Sequence, residues 1–363
     1  MASQFKLQAR TPPQIGEHNL RVTLEAIRRD GPLTRAELAL RSGLTSAGIT
    51  NILRRLREDG LVSAHRRATS GSGPPVTEFA LVPDAVHGIG IAVYGRYGEA
   101  ILLNLGGAIR RRHRFKMGPD PVTTIAGVIQ DLDSAETPRL LGVGIGTDRA
   151  DLLSNKDIRT MFPRLPISVE KDCVTALIAE RALGIGAVEG GMMLIILSDQ
   201  VRAGFMFRGK PFGGVHGRAG SIGSVQTGPD HVPLDNVASL ESLRAILTAA
   251  QRRNLHAGGS LQLSPSIRAW IRRAAGHLLD AIVAAAGFLA PGVVLVGGDV
   301  PANLIDDLIV QMSAERGDTT IRPVVTPWIS PIRRTSFDGA GIAVGAALLP
   351  FFDVLLPQPA ITT

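Results

Sequence analysis

Ser46, Ala47, Thr50, Asn51 and Arg54 fall at positions i, i+1, i+4, i+5 and i+8 of one short segment. On a helix of 3.6 residues per turn that spacing puts all five on a single face. The opposite face takes Ile49, Ile52, Leu53 and Leu56. Small hydroxyl, amide and guanidinium groups on a polar face are the types that read base edges in a DNA major groove. Arg66 and Arg67, a few residues on, can lie against a sugar-phosphate backbone, although a merely solvated basic turn would carry the same pair.

That face needs elements to hold it. Thr34 can cap a helix, with Glu37 three residues later to complete a capping box. Gly43 supplies the turn out of that helix, because glycine takes backbone angles other residues avoid. Thr45 then caps the second helix, the one that presents the polar face. Two helices joined by a glycine turn form the unit that sets its second helix in the major groove. An unrelated helical hairpin would show the same periodicity. A preceding helix over about Asn19–Arg29 and a following strand, loop and strand, however, make the unit a winged one. The strands are expected at Leu61–Ala64 and Val76–Leu81, with Arg66–Pro75 as the wing.

Charge agrees with that placement. Residues 1–80 hold 12 Lys and Arg against 7 Asp and Glu, while the other 283 residues hold 27 against 25. Most of the net +7 therefore sits on the segment expected to meet phosphates. The single cysteine, Cys173, excludes a disulfide framework and a cysteine-rich zinc site. The longest apolar stretch, Leu278–Val296, contains Asp280 and is cut by Pro291-Gly292, so it reads as a buried helix followed by a buried strand. With no apolar signal run at the N-terminus, a cytoplasmic protein without a membrane partner is expected.

Residues 1–17 read as a mobile arm, 18–82 as the winged domain and 83–363 as an α/β body. In the body, Gly88–Val93, Glu99–Leu105 and Ala108–Phe115 form a meander, followed by a helix over Pro121–Asp133 and a strand over Leu140–Gly146. Ile167–Glu170 is a strand that runs into a helix from Asp172. Met192–Leu197 and Gly204–Arg208 are strands, and helices near Leu240–Thr248 and Ser266–Leu289 precede the strand Val293–Val296. A helix at Pro301–Ala314, a strand near Thr320–Val325 and a helix at Gly339–Leu349 complete the chain. The order βββαβα, twice over, predicts two lobes with a cleft between them.

With these elements in order the chain resembles the ROK family (repressors, open reading frames and sugar kinases), in its repressor branch. The resemblance runs over about residues 20–350. It is carried by RSGLTSAGITNILRRLREDGLV, VEKDCVTALIAE, GGVHGRAGSIG, LAPGVVLVGG and GAGIAVGAALL. It implies an α/β body of two actin-like (ribonuclease H-like) lobes behind an N-terminal winged helix-turn-helix domain. It also implies a repressor that binds a double-stranded DNA operator as a homodimer or higher homo-oligomer.

Departures from the family decide the chemistry that the resemblance implies. The first phosphate loop reads Gly90–Arg96, with Tyr94 and without its acid. The second reads Ser198-Asp199-Gln200-Val201-Arg202, where glycine is needed for backbone N–H groups to approach phosphate. The Asn-Asp pair that grips sugar reads Lys171-Asp172, and the Gly-Glu-x-Gly-His block reads Gly220–Ser224. Asp235 stands where a sugar-contacting glutamate is expected, and the cysteine-rich zinc loop becomes Gln226–Leu234, with His231 alone. The implied body is therefore catalytically inactive, with no cofactor and no metal. Lys171, Asp172, Ser221, Ser224 and Asp235 would line its ligand cleft. Asp172 can bind hydroxyls or merely cap its helix. Lys171 can pair with Asp172 or Asp235, or favour a sugar-derived anion as effector. A ligand-independent DNA-binding scaffold and an active sugar kinase are the competing readings.

Overall fold

The computed structural model describes residues 12–67, 76–133, 139–149, 165–256, 258–317, 330–337 and 339–357, with positions 152, 160, 162 and 163 besides. The head opens with helix α1 (Pro12–Asp30), so residues 12–17 are helical and not part of a mobile arm; 1–11 lie outside the described residues. Strand β1 (Leu33–Thr34), helix α2 (Arg35–Ser42) and helix α3 (Ser46–Glu58) follow, then strands β2 (Val62–Arg67) and β3 (Val76–Leu81). The capping chemistry is in place. Thr34 Oγ1 accepts from the Glu37 N–H, and the Glu37 carboxylate accepts the Thr34 N–H at 2.7 Å. Gly43 closes α2 at φ 68°, and Thr45 accepts the Gly48 N–H at 3.2 Å to start α3. Leu24, Ile27, Leu38, Ile49, Leu53 and Leu56 bury the inner face. The wing sheet gains β1, which pairs Leu33 with Phe79 of β3, an addition too short to show in a periodicity.

The body holds two five-stranded sheets of one topology. The first has strands β4 (His87–Tyr94), β5 (Tyr97–Asn104), β6 (Ile109–Lys116), β7 (Leu140–Thr147) and β8 (Ile167–Lys171), in the order β6-β5-β4-β7-β8. The second has β9 (Met192–Leu197), β10 (Val201–Phe207) and β11 (Lys210–Pro211). Beyond the small hairpin of β12 (Gln226–Thr227) and β13 (Val232–Pro233), β14 (Val293–Gly298) and β15 (Ile332–Arg334) complete the order β11-β10-β9-β14-β15. In each sheet the first strand pairs antiparallel with the second and parallel with the fourth. The expected strand at Thr320–Val325 lies outside the described residues, and β15 takes the sheet edge.

Helix α4 (Pro121–Leu132) covers the outer face of the first sheet through Ile125 and Ile129. Helix α5 (Asp172–Ala182) follows β8 directly. The outer face of the second sheet is covered by α6 (Asp235–Ala238), α7 (Leu240–Ile246), α8 (Ala249–His256), α9 (Pro265–Leu289) and α10 (Ala302–Gly317). Helix α7 matches the helix expected near Leu240–Thr248, and α8 is a further short helix beyond it that the sequence does not lead one to expect. The last helix, α11 (Gly341–Val354), lies with α5 against the inner faces. Glycines set that approach. A Cβ on Gly90 or Gly144 would stand 1.9 Å from a carbonyl of α11, and one on Gly345 would stand 1.6 Å from Thr175 O of α5.

Head and body share one apolar core, in which Leu20, Leu24 and Ile27 of α1 join Leu348, Phe351 and Leu356. Arg21 donates from its guanidinium to Phe352 O and Asp353 O, both at 3.1 Å, over the carbonyls that end α11. Such carbonyls lack partners within their own helix, so an arginine there satisfies acceptors and meets the negative end of the helix dipole. No helix among the described residues is long and apolar enough to cross a membrane.

Candidate nucleic-acid interface and interlobe cleft

Ser46, Ala47, Thr50, Asn51 and Arg54 are all exposed along one side of α3, while Ile49, Leu53 and Leu56 are buried on the other. Thr50 Oγ1 donates back to Ser46 O at 2.9 Å, and Arg54 pairs with Glu58 at 2.9 Å, an interaction that a phosphate could replace. Strand β2 runs on through Arg67, so Arg66 and Arg67 lie on a strand and not in the wing loop, of which 68–75 are outside the described residues. Arg66 is exposed. Arg67 is exposed too, but its guanidinium is held by the carboxylate of Glu78 across the ladder. Arg66 is therefore the less constrained of the two.

The five residues expected to line the cleft gather around the start of β10. Asp172 is buried, and its Oδ1 accepts the Cys173 N–H at 2.6 Å. Its Oδ2 takes Arg202 Nε at 2.9 Å and Nη2 at 2.7 Å, and Arg202 also reaches Asp148 at 2.7 Å. Burial raises the Asp172 carboxyl above its usual range, against the pull of Arg202. Asp172 thus has its carboxylate turned to internal partners, and the N-cap position of α5 is Lys171, which makes no capping side-chain bond. Lys171 donates to Gly217 O, so it pairs with neither Asp172 nor Asp235. Asp235 accepts the Val201 N–H at 2.6 Å. Ser221 and Ser224 are exposed on the loop that crosses β10.

Across the cleft, the segments 90–96 and 198–202 carry side chains with internal partners. Tyr94 donates to Gly339 O at 2.9 Å, and burial pushes its phenol well above the usual range, so it stands as a neutral donor. Asp199 pairs with Arg244 at 2.7 Å. A narrow crevice lies between α5, α11 and the second sheet, its polar lining including Tyr94, Glu180, Asp299 and Thr335. Burial, and then the charge of Asp199, push the Asp299 carboxyl up to about 7, against the pull of Arg202 and Arg244. Arg202, Arg244, Asp299 and Glu180 are not among the residues that the sequence singles out. The one available signal was the arginine closing Ser198–Arg202.

The stretch Gln226–Leu234 is closed by hydrogen bonds. Buried His277 meets Thr227 Oγ1 through Nδ1 at 2.8 Å and Asp230 through Nε2 at 3.4 Å, and Asp280 accepts the Gly228 N–H at 3.1 Å. His231 is exposed with φ 52°. Among the described residues no three His, Cys, Asp or Glu side chains are grouped to hold a metal.

Comparison with known proteins falls in with this geometry. Residues 18–63 match a family model described as winged helix-turn-helix DNA-binding. An uncharacterized protein of Sinorhizobium fredii is 24% identical over 92% of this chain and 91% of its own. Among solved structures, a ROK family transcriptional regulator described as a homologue of the E. coli MLC protein superposes with a TM-score of 0.68. It is 18% identical and covers 94% of this chain and 98% of its own. A ROK hexokinase from Thermus thermophilus (TM-score 0.55, 18% identical) covers 74% of this chain and 99% of its own. A ROK family glucokinase from Streptomyces griseus, in complex with glucose and AMPPNP (TM-score 0.54, 21% identical), covers 72% and 98%. The chain joins a winged helix-turn-helix of the DNA-binding type to a body with the fold shared by ROK regulators and ROK sugar kinases.

Proposed function

We propose that the protein is a transcriptional repressor that binds a double-stranded operator as a homodimer, with a body that carries out no phosphoryl transfer. The observation that carries this is the exposed face of α3 from Ser46 to Arg54, backed by a buried apolar face and flanked by the wing arginines. A single recognition helix reads only a few base pairs, so two heads on a palindrome, spaced by whole helical turns, supply the specificity. Selection from random duplexes with the full chain should return a palindromic site bound by two copies. A chain lacking 1–82 should bind none. Retained binding without the head, or a site occupied by a single copy, would overturn the proposal.

Phosphoryl transfer needs backbone N–H groups free to approach phosphate and a sugar-facing base. Tyr94 and the Asp199–Arg244 pair fill the first requirement's space, and Asp172, the acid kept from the sugar-gripping pair, is bound to Arg202. The protein should neither hydrolyse ATP nor phosphorylate a hexose. Turnover that disappears with Asp172→Asn would contradict this.

Two roles remain for the cleft, the sensing of a sugar-derived anion and a scaffold that needs no ligand. The internal partners of Asp172, Lys171 and Asp235 favour the scaffold, because a ligand would have to break bonds that are already satisfied. Thermal-shift and operator-release assays across sugars, sugar acids and sugar phosphates separate the two. No response supports the scaffold, and release by an acidic sugar that is lost with Lys171→Asn supports sensing.

A further inference from the structure

Strand β6 reads IRRRHRFK, four arginines and a lysine in eight residues, and it is the outermost strand of its sheet, bonded only to β5. Charge on an edge strand guards against pairing with other chains, and one or two cations serve that purpose. Here the positive surface continues beyond the strand. Arg96 is exposed in the turn between β4 and β5, and Arg253 and His256 are exposed on α8 of the other lobe. The lobes meet at this point. The His256 ring lies 6.1 Å from that of Tyr97, itself 49% exposed, and Arg114 Nη1 lies 2.9 Å from where a Cβ on Gly258 would be.

The carboxylates nearby are already committed. Glu99 is buried and takes Arg112 at 2.7 Å and Arg114 at 3.2 Å, and Asp84 takes Arg110. Arg96, Lys116 and Arg253 form no ion pair among the described residues, so this face keeps a surplus of positive charge. It is an exposed ridge and not a concave site, which suits a large polyanion better than a small molecule. Alternate side chains on a strand recur about every 7 Å. A duplex offers a negative charge about every 1.7 Å of its axis, so such a row finds phosphates in many registers, without reading sequence.

The position of the strand favours DNA over an acidic protein. Its first end is fastened to the segment leaving the head, where Asp84 holds Arg110 and Pro83 O accepts the Leu105 N–H at 3.0 Å. From that junction β6 extends about 26 Å along the body. A duplex seated on α3 need only continue past the junction to meet it.

We propose that β6, with Arg96 and the end of α8, is a second DNA-binding surface that grips the backbone flanking the bases read by α3. The inference rests on the reading of the head as DNA-binding. Its test uses the full chain and two duplexes sharing a selected site, one trimmed to the half-sites and one with long flanks. The variant carries Arg96→Gln, Lys116→Gln and Arg253→Gln, which break no ion pair among the described residues. On the long duplex the variant's salt dependence should be shallower by about 0.9 in log–log slope for each phosphate it no longer neutralises, up to about 2.7. On the trimmed duplex it should match the parent chain. An unchanged slope on the long duplex would overturn the proposal. Unchanged DNA binding with new self-association on size exclusion would assign these charges to edge protection instead, and loss only of an acidic protein partner would assign them to that partner. If the parent chain bound neither duplex, the reading of the head would itself be wrong, a result visible before any variant is made.

Discussion

Arg202 of the second lobe meets Asp172 of the first with Nη2 2.7 Å from Oδ2, and the carboxylate is buried. The pair ties the two lobes together at the start of α5. Removing Arg202 leaves the Asp172 charge buried without an ionic partner, which costs about 3–5 kcal/mol, whereas removing both together costs far less. Arg202→Met should therefore lower stability by about that amount. Adding Asp172→Asn should recover most of it. Urea unfolding of both single variants and the double variant measures the coupling, and simple additivity would show that the pair is not a unit.

The head's residues should separate by role. Asn51→Ala or Thr50→Ala should relax base preference at one position, by about 1–3 kcal/mol for a good base contact. Arg66→Ala should weaken all sequences alike. Arg67→Ala should do this and also destabilise the wing, since it leaves the nearly buried Glu78 carboxylate without its partner. Competition binding on single-base variants of the selected site, with thermal unfolding alongside, reads both effects.

Two glycines at superficially similar helical positions should respond in opposite directions. Gly127 of α4 has nothing within 4 Å of where a Cβ would stand, so Gly127→Ala should stabilise by up to about 1 kcal/mol through helix propensity. Gly345→Ala would drive a Cβ to 1.6 Å from Thr175 O and force α5 and α11 apart, at a cost of about 3 kcal/mol or more. Equal effects in unfolding measurements would mean that the two helices do not touch as described.

The Asp299 carboxyl, pushed up to about 7 by burial and then by Asp199, gives a pH signature. The native state holds this proton over a range in which the unfolded chain, with a pKa near 3.9, has lost it. Its contribution to stability is whole below about pH 4, falls by at most about 1.4 kcal/mol per unit as pH rises, and levels off above about pH 7. Asp299→Asn has no such proton to lose. Stability of the variant relative to the parent chain should therefore climb from pH 4 to 7, and a flat difference would contradict the assignment.

The head was legible because its determinants are local. Thr34 with Glu37, Gly43, and Thr45 with Gly48 all act within four residues, and the α3 periodicity reports burial directly. The lobes were legible in order, since alternating strands and helices leave few topologies. The polar partners in the cleft were not. Arg202 reaches Asp172 from 30 positions along the chain, and Lys171 finds Gly217 across 46. No periodicity encodes such pairings, so the expected Lys171 partners failed while the element that carries Lys171 stood where it was expected. The β1 strand failed for the opposite reason, being a two-residue segment created entirely by its neighbour β3.

Arg21, clasped to the carbonyls at the end of α11, has one more implication. A head on a slack tether could adapt to operators of many lengths. This one is seated on a rod of 14 residues that itself lies wedged between the first sheet and α5, so its bearing is inherited from the body. In any dimer joined through the bodies, the gap between half-sites is then a dimension of the body, as fixed as the distance between two teeth of a gear. Lengthening the chain near Pro83 should leave that gap unchanged, and loosening Arg21 should let it drift.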